Sequence, residues 1–215
     1  RPPRAGSGRP RRHPCHHEHS DHAAGVGTLS RRHAIPVYAS HGTAASGRLG
    51  ECAALERFNA GEVFTVGDMT VRSVAVPHDA REPCQYRLAA GGCDLGVLTD
   101  LGSVTAHVVD AYCGCQGLVL EFNHDSAMLA AGAYPPALKR RVGGDWGHLN
   151  NRQASELLAA LDGPALRHLV IAHMSEQNNS RAAVCEVLAA EHPAWLERAH
   201  WACQGDGFGW LSLDG

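Results

Sequence analysis

The sequence of 215 residues is poor in charge, in aromatic side chains and in long apolar runs. Charged residues make up 19% and aromatic residues 6%, while hydrophobic residues reach 44%, which excludes a wholly disordered chain. No apolar run reaches about 18 residues, so no transmembrane helix is predicted. No basic start precedes an apolar stretch and a cleavage site, so secretion is not expected. The net charge of -3 argues against a polycation that coats nucleic acid, although a local basic patch is compatible with it.

The eight cysteines form no C-x-x-C pair, and no signal peptide is predicted. A disulfide framework is therefore the weaker interpretation, and we expect most of these residues to be small buried apolar groups in a reducing compartment. Cys113-Gly-Cys115 has a metal-binding spacing, but a lone C-x-C is a weak signal. Together these features predict a cytoplasmic protein with no membrane partner.

Histidine is abundant, with 15 residues, and three of them fall within His17-Glu18-His19-Ser20-Asp21-His22. In an extended backbone, side chains at i and i+2 share a side, so His17 and His19 can hold one ion. Asp21 and His22 then turn toward a second ion. The competing interpretation is an exposed polar loop or a simple histidine run.

Three more ligand-type residues follow predicted strands. His78 comes after the strand 70–76, Asp100 after 94–99 and His173 after 168–172. A strand delivers such a residue to one rim of a sheet. Taken singly, each is more commonly a surface histidine or a helix-capping aspartate. Their coincidence with the first cluster favours a shared metal site.

The remaining pattern predicts a mixed α/β chain. Hairpins are expected at Gly67-Asp68, at Gly91-Gly92 and near the C-terminus, where segments 197–202 and 208–213 would pair. Further predicted elements are a short strand over 36–39, a buried strand over 118–122, and helices over 22–32, 43–56, 150–161 and 180–191.

These motifs resemble the metallo-β-lactamase-fold hydrolases, most closely the bacterial YycJ-type, or WalJ-like, subfamily. The resemblance runs from about residue 17 to 212 and is carried, in order, by HEHSDHAAGVGTLSRR, IPVYAS, VPHDA, LTDLG, LEFNHDSAML, YPPALKRRVGGDWGHLNNRQA and AHMSEQNN. It implies an αββα sandwich over residues 17–215 with a dinuclear site at one edge. GHLNN stands where the subfamily usually has GHLSN, a mild change because both residues cap helices well.

The resemblance also implies the ligand set. One metal would be held by His17, His19 and His78; the other would be held by Asp21, His22 and His173, with Asp100 bridging the two. Histidine and aspartate ligands without cysteine suit Zn²⁺ or Mn²⁺. Two such ions can activate a bridging hydroxide for the hydrolysis of a phosphodiester, an ester or a lactam.

Glu121 and His148 resemble the acidic residue and the histidine beside the metals in phosphodiesterases of this fold, where the histidine protonates the leaving oxygen. Asp21, Glu121 and His148 are therefore the expected catalytic residues. His124 and Asp125 would contact substrate or the ligands, or would begin a helix.

The basic run Lys139-Arg140-Arg141 is either a solvated face or a contact for a nucleic-acid backbone. By resemblance, the expected activity is a 5′-to-3′ DNA exonuclease. The alternatives are hydrolysis of small cyclic phosphodiesters, a non-catalytic metal-binding regulatory module, and an inactive truncated product.

Residues 1–16 are basic, rich in proline and unlike the rest, so we expect an aberrant, disordered segment that forms no strand. Read one base later, codons permitted for residues 5–16 encode LDPADLDAILVT, which ends in the strand and threonine that the family pattern requires. This suggests a frameshift and the loss of about 50–60 N-terminal residues with the edge strands of the first sheet.

Overall fold

The structure, a computed structural model, describes residues 12–203, 205 and 207–213. The chain is mixed α/β and divides into two compact units. Unit 1 comprises residues 1–73 and 80–84, and unit 2 comprises residues 74–79 and 85–215. None of the helices in the described part of the chain has both the length and the apolar character needed to cross a bilayer.

Unit 1 contains a sheet of three parallel strands in the order β1-β2-β3. The strands are β1 (His13–Cys15), β2 (Val37–Ser40) and β3 (Leu55–Phe58). The helices that connect them are α1 (Ser20–Ala23), α2 (Val26–His33) and α3 (His41–Ala45). A small core joins the strands to these helices and consists of Cys15, Ala23, Val26, Val37, Ala39 and Leu49.

Two predictions for unit 1 were wrong. Residues 13–15 form a strand, although no strand was expected in the segment 1–16. Because β1 lies at the edge of its sheet, Pro14 is tolerated there without a backbone donor. Residues 1–11 lie outside the described residues. The helix predicted over 43–56 ends at Ala45, because Gly47 and Gly50 take left-handed conformations with φ of +73° and +69°.

The hairpin predicted at Gly67-Asp68 is confirmed. Strands β4 (Val63–Val66) and β5 (Met69–Ala75) pair antiparallel, with Val66 opposite Met69. Gly67 has a φ of +63°, which a tight hairpin turn needs and glycine adopts without strain. The chain leaves unit 1 within β5.

Unit 2 contains the strand order β10-β9-β8-β7-β6. These strands are β6 (Cys84–Ala90, entering the unit at residue 85), β7 (Cys93–Leu98), β8 (Gly117–Glu121), β9 (His168–Ala172) and β10 (His200–Trp201). Strands β6 and β7 form the predicted hairpin around Gly91-Gly92, and β7 to β10 are parallel.

Six helices complete unit 2 in its described part. They are α4 (Ala106–Tyr112), α5 (Ser126–Ala131), α6 (Pro136–Val142), α7 (Asn151–Leu161), α8 (Arg181–Glu191) and α9 (Pro193–Arg198). The main core is built from the parallel strands and these helices, with fully buried side chains such as Leu118, Leu120, Phe122, Leu157, Ile171 and Leu188.

The C-terminal hairpin predicted from segments 197–202 and 208–213 was wrong. Pro193 begins α9, which takes up the first part of that region, and β10 then pairs parallel with β9. Parallel pairing needs a crossover, which α8 and α9 provide. Residues 208–213 form no strand.

The parallel strand order determines where the candidate site lies. The carboxyl ends of β7, β8 and β9 meet at one edge of the sheet, where ligands bind in open α/β sheets. Asp100 follows β7, Glu121 ends β8 and His173 follows β9. Three ligand-type residues distant in sequence are thereby gathered.

Candidate metal centre

A fully buried carboxylate, that of Glu121, is the hub of the unit 2 cluster. Its Oε2 lies 2.9 Å from Nδ1 of His173 and 3.1 Å from Nδ1 of His148. The backbone N–H of Asp100 also donates to Oε2, at 3.0 Å, and Oε1 accepts the N–H groups of Leu101 and Leu149 at 2.9 and 3.0 Å. Five donors therefore fix one carboxylate, which in turn fixes two imidazole rings.

Hydrogen bonds keep the Glu121 carboxyl group ionised. Burial alone would raise the pKa of the Glu121 carboxyl, but the hydrogen bonds from His148 and His173 outweigh burial and hold the pKa below its usual value. Glu121 is thus an anion that accepts from both Nδ1 atoms. Each ring then presents Nε2 as the nitrogen for a ligand or a proton.

Two residues of the cluster have unusual backbone conformations. Asp100 has a φ of +56° and His173 a φ of +53°, so both are left-handed. Left-handed non-glycine residues cost about 1–3 kcal/mol and concentrate at functional sites. Nε2 of His173 lies 3.7 Å from Oδ1 of Asp100, a pair of donor types typical of metal sites.

His78 is also held by its backbone surroundings. Its Nδ1 donates to the carbonyl oxygen of Gly147 at 3.0 Å, which fixes the tautomer and leaves Nε2 on the side of Asp100, 3.9 Å from Oδ1. Burial lowers the pKa of His78 by more than the nearby Asp100 carboxylate raises it. The neutral imidazole favoured by this burial is the form that ligates metals.

The loop before His148 requires glycine. A Cβ on Gly147 would overlap the carbonyl oxygens of Arg141 and Val142. The N–H of His148 donates to the same Val142 carbonyl at 2.9 Å, so the loop turns tightly and aims His148 into the cluster. This close backbone approach explains why glycine precedes histidine in the GHLNN motif.

Two sets of donors in unit 2 have metal-site spacing. Ligand atoms of His78, Asp100 and His148 lie within 4.8 Å of one another, and so do those of Glu121, His148 and His173. Nitrogen and carboxylate donors without sulfur fit a divalent ion such as Zn²⁺ or Mn²⁺. The sequence prediction used His148 as an acid only, whereas its position is also that of a possible ligand.

Unit 1 carries the other predicted cluster. Nε2 of His17 lies 3.0 Å from Nδ1 of His19, so the two rings share a side as the i, i+2 spacing predicted. Two donors of one tetrahedral ion, each at about 2.0–2.1 Å, are separated by a similar distance of about 3.3 Å. Glu18 points elsewhere and accepts the backbone N–H of Arg81 at 2.9 Å.

Asp21 and His22 lie on α1, directly after this pair. Oδ2 of Asp21 is 3.2 Å from Nε2 of His22, and the ring centroids of His17 and His22 are 4.4 Å apart. The Asp21 side chain is 61% exposed, whereas His17 is fully buried. The motif therefore brings its four predicted ligands, His17, His19, Asp21 and His22, close together, with Asp21 open to solvent.

A cavity of about 310 Å³ opens beside His148 and His173 in unit 2. Asn123 and Tyr134 also line it, and the Asn123 amide donates to the His173 carbonyl at 3.0 Å. Neither residue was assigned a role from the sequence. The available signals were that Asn123 lies within the LEFNHD motif and that Tyr134 begins the YPPALKRR stretch. Asp125 begins α5 by accepting the N–H of Met128, so the capping alternative is correct for it.

Comparison with known proteins gives the family. Residues 15–174 match the family described as the beta-lactamase superfamily domain. The chain is 37% identical to exodeoxyribonuclease YycJ of Bacillus anthracis over 80% of its own length and 68% of the relative's. It is 34% identical to exodeoxyribonuclease WalJ of Streptococcus pneumoniae over 76% and 63%. The chain thus spans about two thirds of the length of these relatives.

Solved structures give the same fold. Zn²⁺-bound PqqB from Methylobacterium extorquens has a TM-score of 0.67 at 19% identity, covering 91% of this chain and 71% of that one. The metallo-β-lactamase fold protein YhfI from Bacillus subtilis has a TM-score of 0.67 at 16% identity, covering 92% and 75%. The expected fold class is therefore confirmed. The chain belongs to the beta-lactamase superfamily and is a metal-dependent hydrolase with the metallo-β-lactamase fold.

Proposed function

We propose that this protein is a dinuclear phosphodiesterase that degrades DNA from the 5′ end. The observation that carries the proposal is the pairing of one buried carboxylate, Glu121, with His148 and His173 through their Nδ1 atoms. A histidine held in this way is suited to protonate an alkoxide leaving group, a task that phosphodiester hydrolysis has. The two curated relatives named exodeoxyribonucleases support DNA as the substrate class.

We assign metal ligands to both units, as the family pattern implies. Unit 1 would contribute His17, His19, Asp21 and His22, and unit 2 would contribute His78, Asp100 and His173. When bound, two divalent ions, Zn²⁺ or Mn²⁺, supply Lewis acidity and lower the pKa of a coordinated water. The remaining chemistry belongs to side chains of the chain itself.

Proton movement follows from the hydrogen bonds. Attack of a water oxygen forms a new bond to phosphorus, and the bond from phosphorus to the leaving 3′ oxygen breaks. Nε2 of His148 gives its proton to that oxygen while Nδ1–H stays bonded to Glu121, whose negative charge stabilises the imidazolium beforehand. Asp21 accepts the proton of the attacking water. Glu121 is a positioning residue, because it is fully buried and acts through His148 and His173.

The cavity beside His148 gives the substrate a place to bind, with Asn123 and Tyr134 on its wall. We propose a cytoplasmic location from the cysteine usage of the chain.

The test is hydrolysis of DNA by the chain loaded with Mn²⁺ or Zn²⁺. With duplexes labelled separately at the 5′ and 3′ ends, mononucleotides should be released from the 5′ end, and EDTA should abolish release. Turnover of a cyclic dinucleotide without turnover of DNA would favour the small-phosphodiester alternative. Stoichiometric metal without turnover of either substrate would favour the regulatory module, and failure to fold or bind metal would favour an inactive product.

A further inference from the structure

A second cavity of unit 2, of about 460 Å³, is distinct from the one that opens beside His148 and His173. It lies between α5, α6 and the segment that begins α7. Its lining includes the apolar side chains of Leu129 and Pro136, and the polar side chains of His124, Lys139 and Arg140, which together are called the polar wall. Among the described lining residues there are two cations and no carboxylate, so the cavity favours an anion.

The three basic residues of α6, Lys139-Arg140-Arg141, differ in their contacts. The guanidinium of Arg141 pairs with the carboxylate of Asp79. Lys139 and Arg140 instead line the cavity, and the Lys139 ammonium is anchored by donation to the carbonyl oxygen of Ala130 at 2.6 Å. An ammonium has three donors, so this anchor leaves capacity for a ligand. No ion pair involves Arg140 within the part of the chain that the structure describes.

His124, in the polar wall, is held by backbone contacts. His124 is 2% exposed and forms an isolated β-bridge with Asn150, and its carbonyl oxygen accepts the N–H of Asn151 at 2.9 Å. Its Nε2 lies 3.7 Å from the place that a Cβ on Gly143 would take, at the lining of the cavity. A buried imidazole nitrogen at a cavity that is also lined by two cations is suited to donate to an oxyanion.

The wall is built on the segments that also carry the proposed catalytic pair. His124 is three residues after Glu121, and Asn150 is two residues after His148. An anion bound in this cavity would therefore lie beside the segments that carry the catalytic pair, as a neighbouring phosphate group of the same DNA strand would.

We propose that this cavity, lined by His124, Lys139 and Arg140, binds a phosphate group of the DNA strand other than the one being hydrolysed. The inference rests on the proposed function for the identity of the strand. The bound group is a terminal phosphate monoester or an internal phosphodiester. In either case the cavity sets where the strand lies relative to His148.

The test is DNA binding measured by fluorescence anisotropy with the metal-loaded chain. The probe is a 3′-fluorescein duplex carrying either a 5′-phosphate or a 5′-hydroxyl, with phosphorothioate linkages at the end to slow hydrolysis. Arg140→Gln should weaken binding about 5–10-fold and reduce the slope of log K against log salt by about one. The control, Arg152→Gln, removes the same charge from exposed α7 and should change binding less than about twofold.

Loss confined to the 5′-phosphorylated probe would identify a terminal monoester, and equal loss on both probes an internal phosphodiester. His124→Phe, which keeps an aromatic ring but removes both ring nitrogens, should weaken binding in the same pattern. The proposal is overturned if Arg140→Gln and Lys139→Gln bind as Arg152→Gln does. DNA hydrolysis measured in parallel distinguishes failure of the cavity proposal from failure of the proposed function. If the variants bind DNA normally and the chain hydrolyses DNA, only the cavity proposal is wrong. If the cavity variants lose DNA binding but the parent chain does not hydrolyse DNA, only the proposed function is wrong.

Discussion

Oε2 of Glu121 is shared by two histidines, with Nδ1 of His148 at 3.1 Å and Nδ1 of His173 at 2.9 Å. One oxygen thus couples the proposed general acid to a proposed metal ligand. Because the carboxylate is fully buried, its charge is not screened by solvent, and both rings are oriented before substrate arrives.

Glu121→Gln should lower both stability and activity. The amide NH₂ would face backbone or histidine N–H groups that now donate to the carboxylate, leaving buried donors unsatisfied. We expect the free energy of unfolding to fall by about 3 kcal/mol and DNA hydrolysis by at least about 100-fold. Urea denaturation and initial rates measure the two effects. Glu156→Gln on exposed α7 is the matched control and should leave both unchanged.

His148→Ala should abolish turnover and preserve metal content near two ions per chain. Loss of a general acid lowers the rate about 10²–10⁴-fold without removing a ligand. Elemental analysis of the purified variant measures its metal content, and single-turnover rates measure the loss of activity. Because His148 also lies among ligand-type atoms, loss of one ion would instead make it a ligand. His107→Ala, an exposed residue at the start of α4, controls for removal of an imidazole.

Gly147→Ala should distort the loop that positions His148 and His78. A methyl group there would overlap the carbonyl oxygens of Arg141 and Val142. We expect lower thermal stability and a lower kcat, because the shift moves both histidines. Gly163→Ala places the same methyl where no heavy atom lies within 4 Å, so its melting temperature should match the parent chain. Equal behaviour of the two variants would contradict the steric argument.

Stability should fall as pH rises from about 9 to 11. Burial raises the pKa of the Cys115 thiol from 9.0 to about 11, despite the opposing effect of Arg87. The unfolded chain therefore loses this proton first, and the stabilising difference present below pH 9 is lost as pH approaches 11. Denaturant midpoints across this range test the slope, which should be shallower for Cys115→Ala.

Thiol labelling gives a second test of the same burial. At pH 8, iodoacetamide should modify exposed Cys113 and spare Cys115, which is 4% exposed and almost wholly protonated. Both cysteines lie on the tryptic peptide 88–139, so fragment-ion mass spectrometry of that peptide assigns the label to one site. Comparable labelling of both in the folded chain would show that Cys115 is accessible.

Sequence patterns with local causes predicted the structure well. The hairpins at Gly67 and Gly91 follow from glycine's tolerance of positive φ, and α7 follows from its Asn150 cap and apolar spacing. The secondary-structure predictions were wrong where the same residues could form either of two structures. The helix over 43–56 and the hairpin of 197–202 with 208–213 were predicted from short-range patterns, and left-handed glycines and parallel pairing decided their structure.

For the site, the sequence by itself determined which residue types are present and in what order. It also determined the side shared by His17 and His19, because strand alternation is a property of the local backbone. Tertiary structure alone decided that Glu121 accepts five hydrogen bonds, that Gly147 directs His78, and that Arg140 lines a cavity. Those contacts join residues far apart in sequence. Parallel strand pairing and the loops after the strands bring them together, and no local pattern encodes that arrangement.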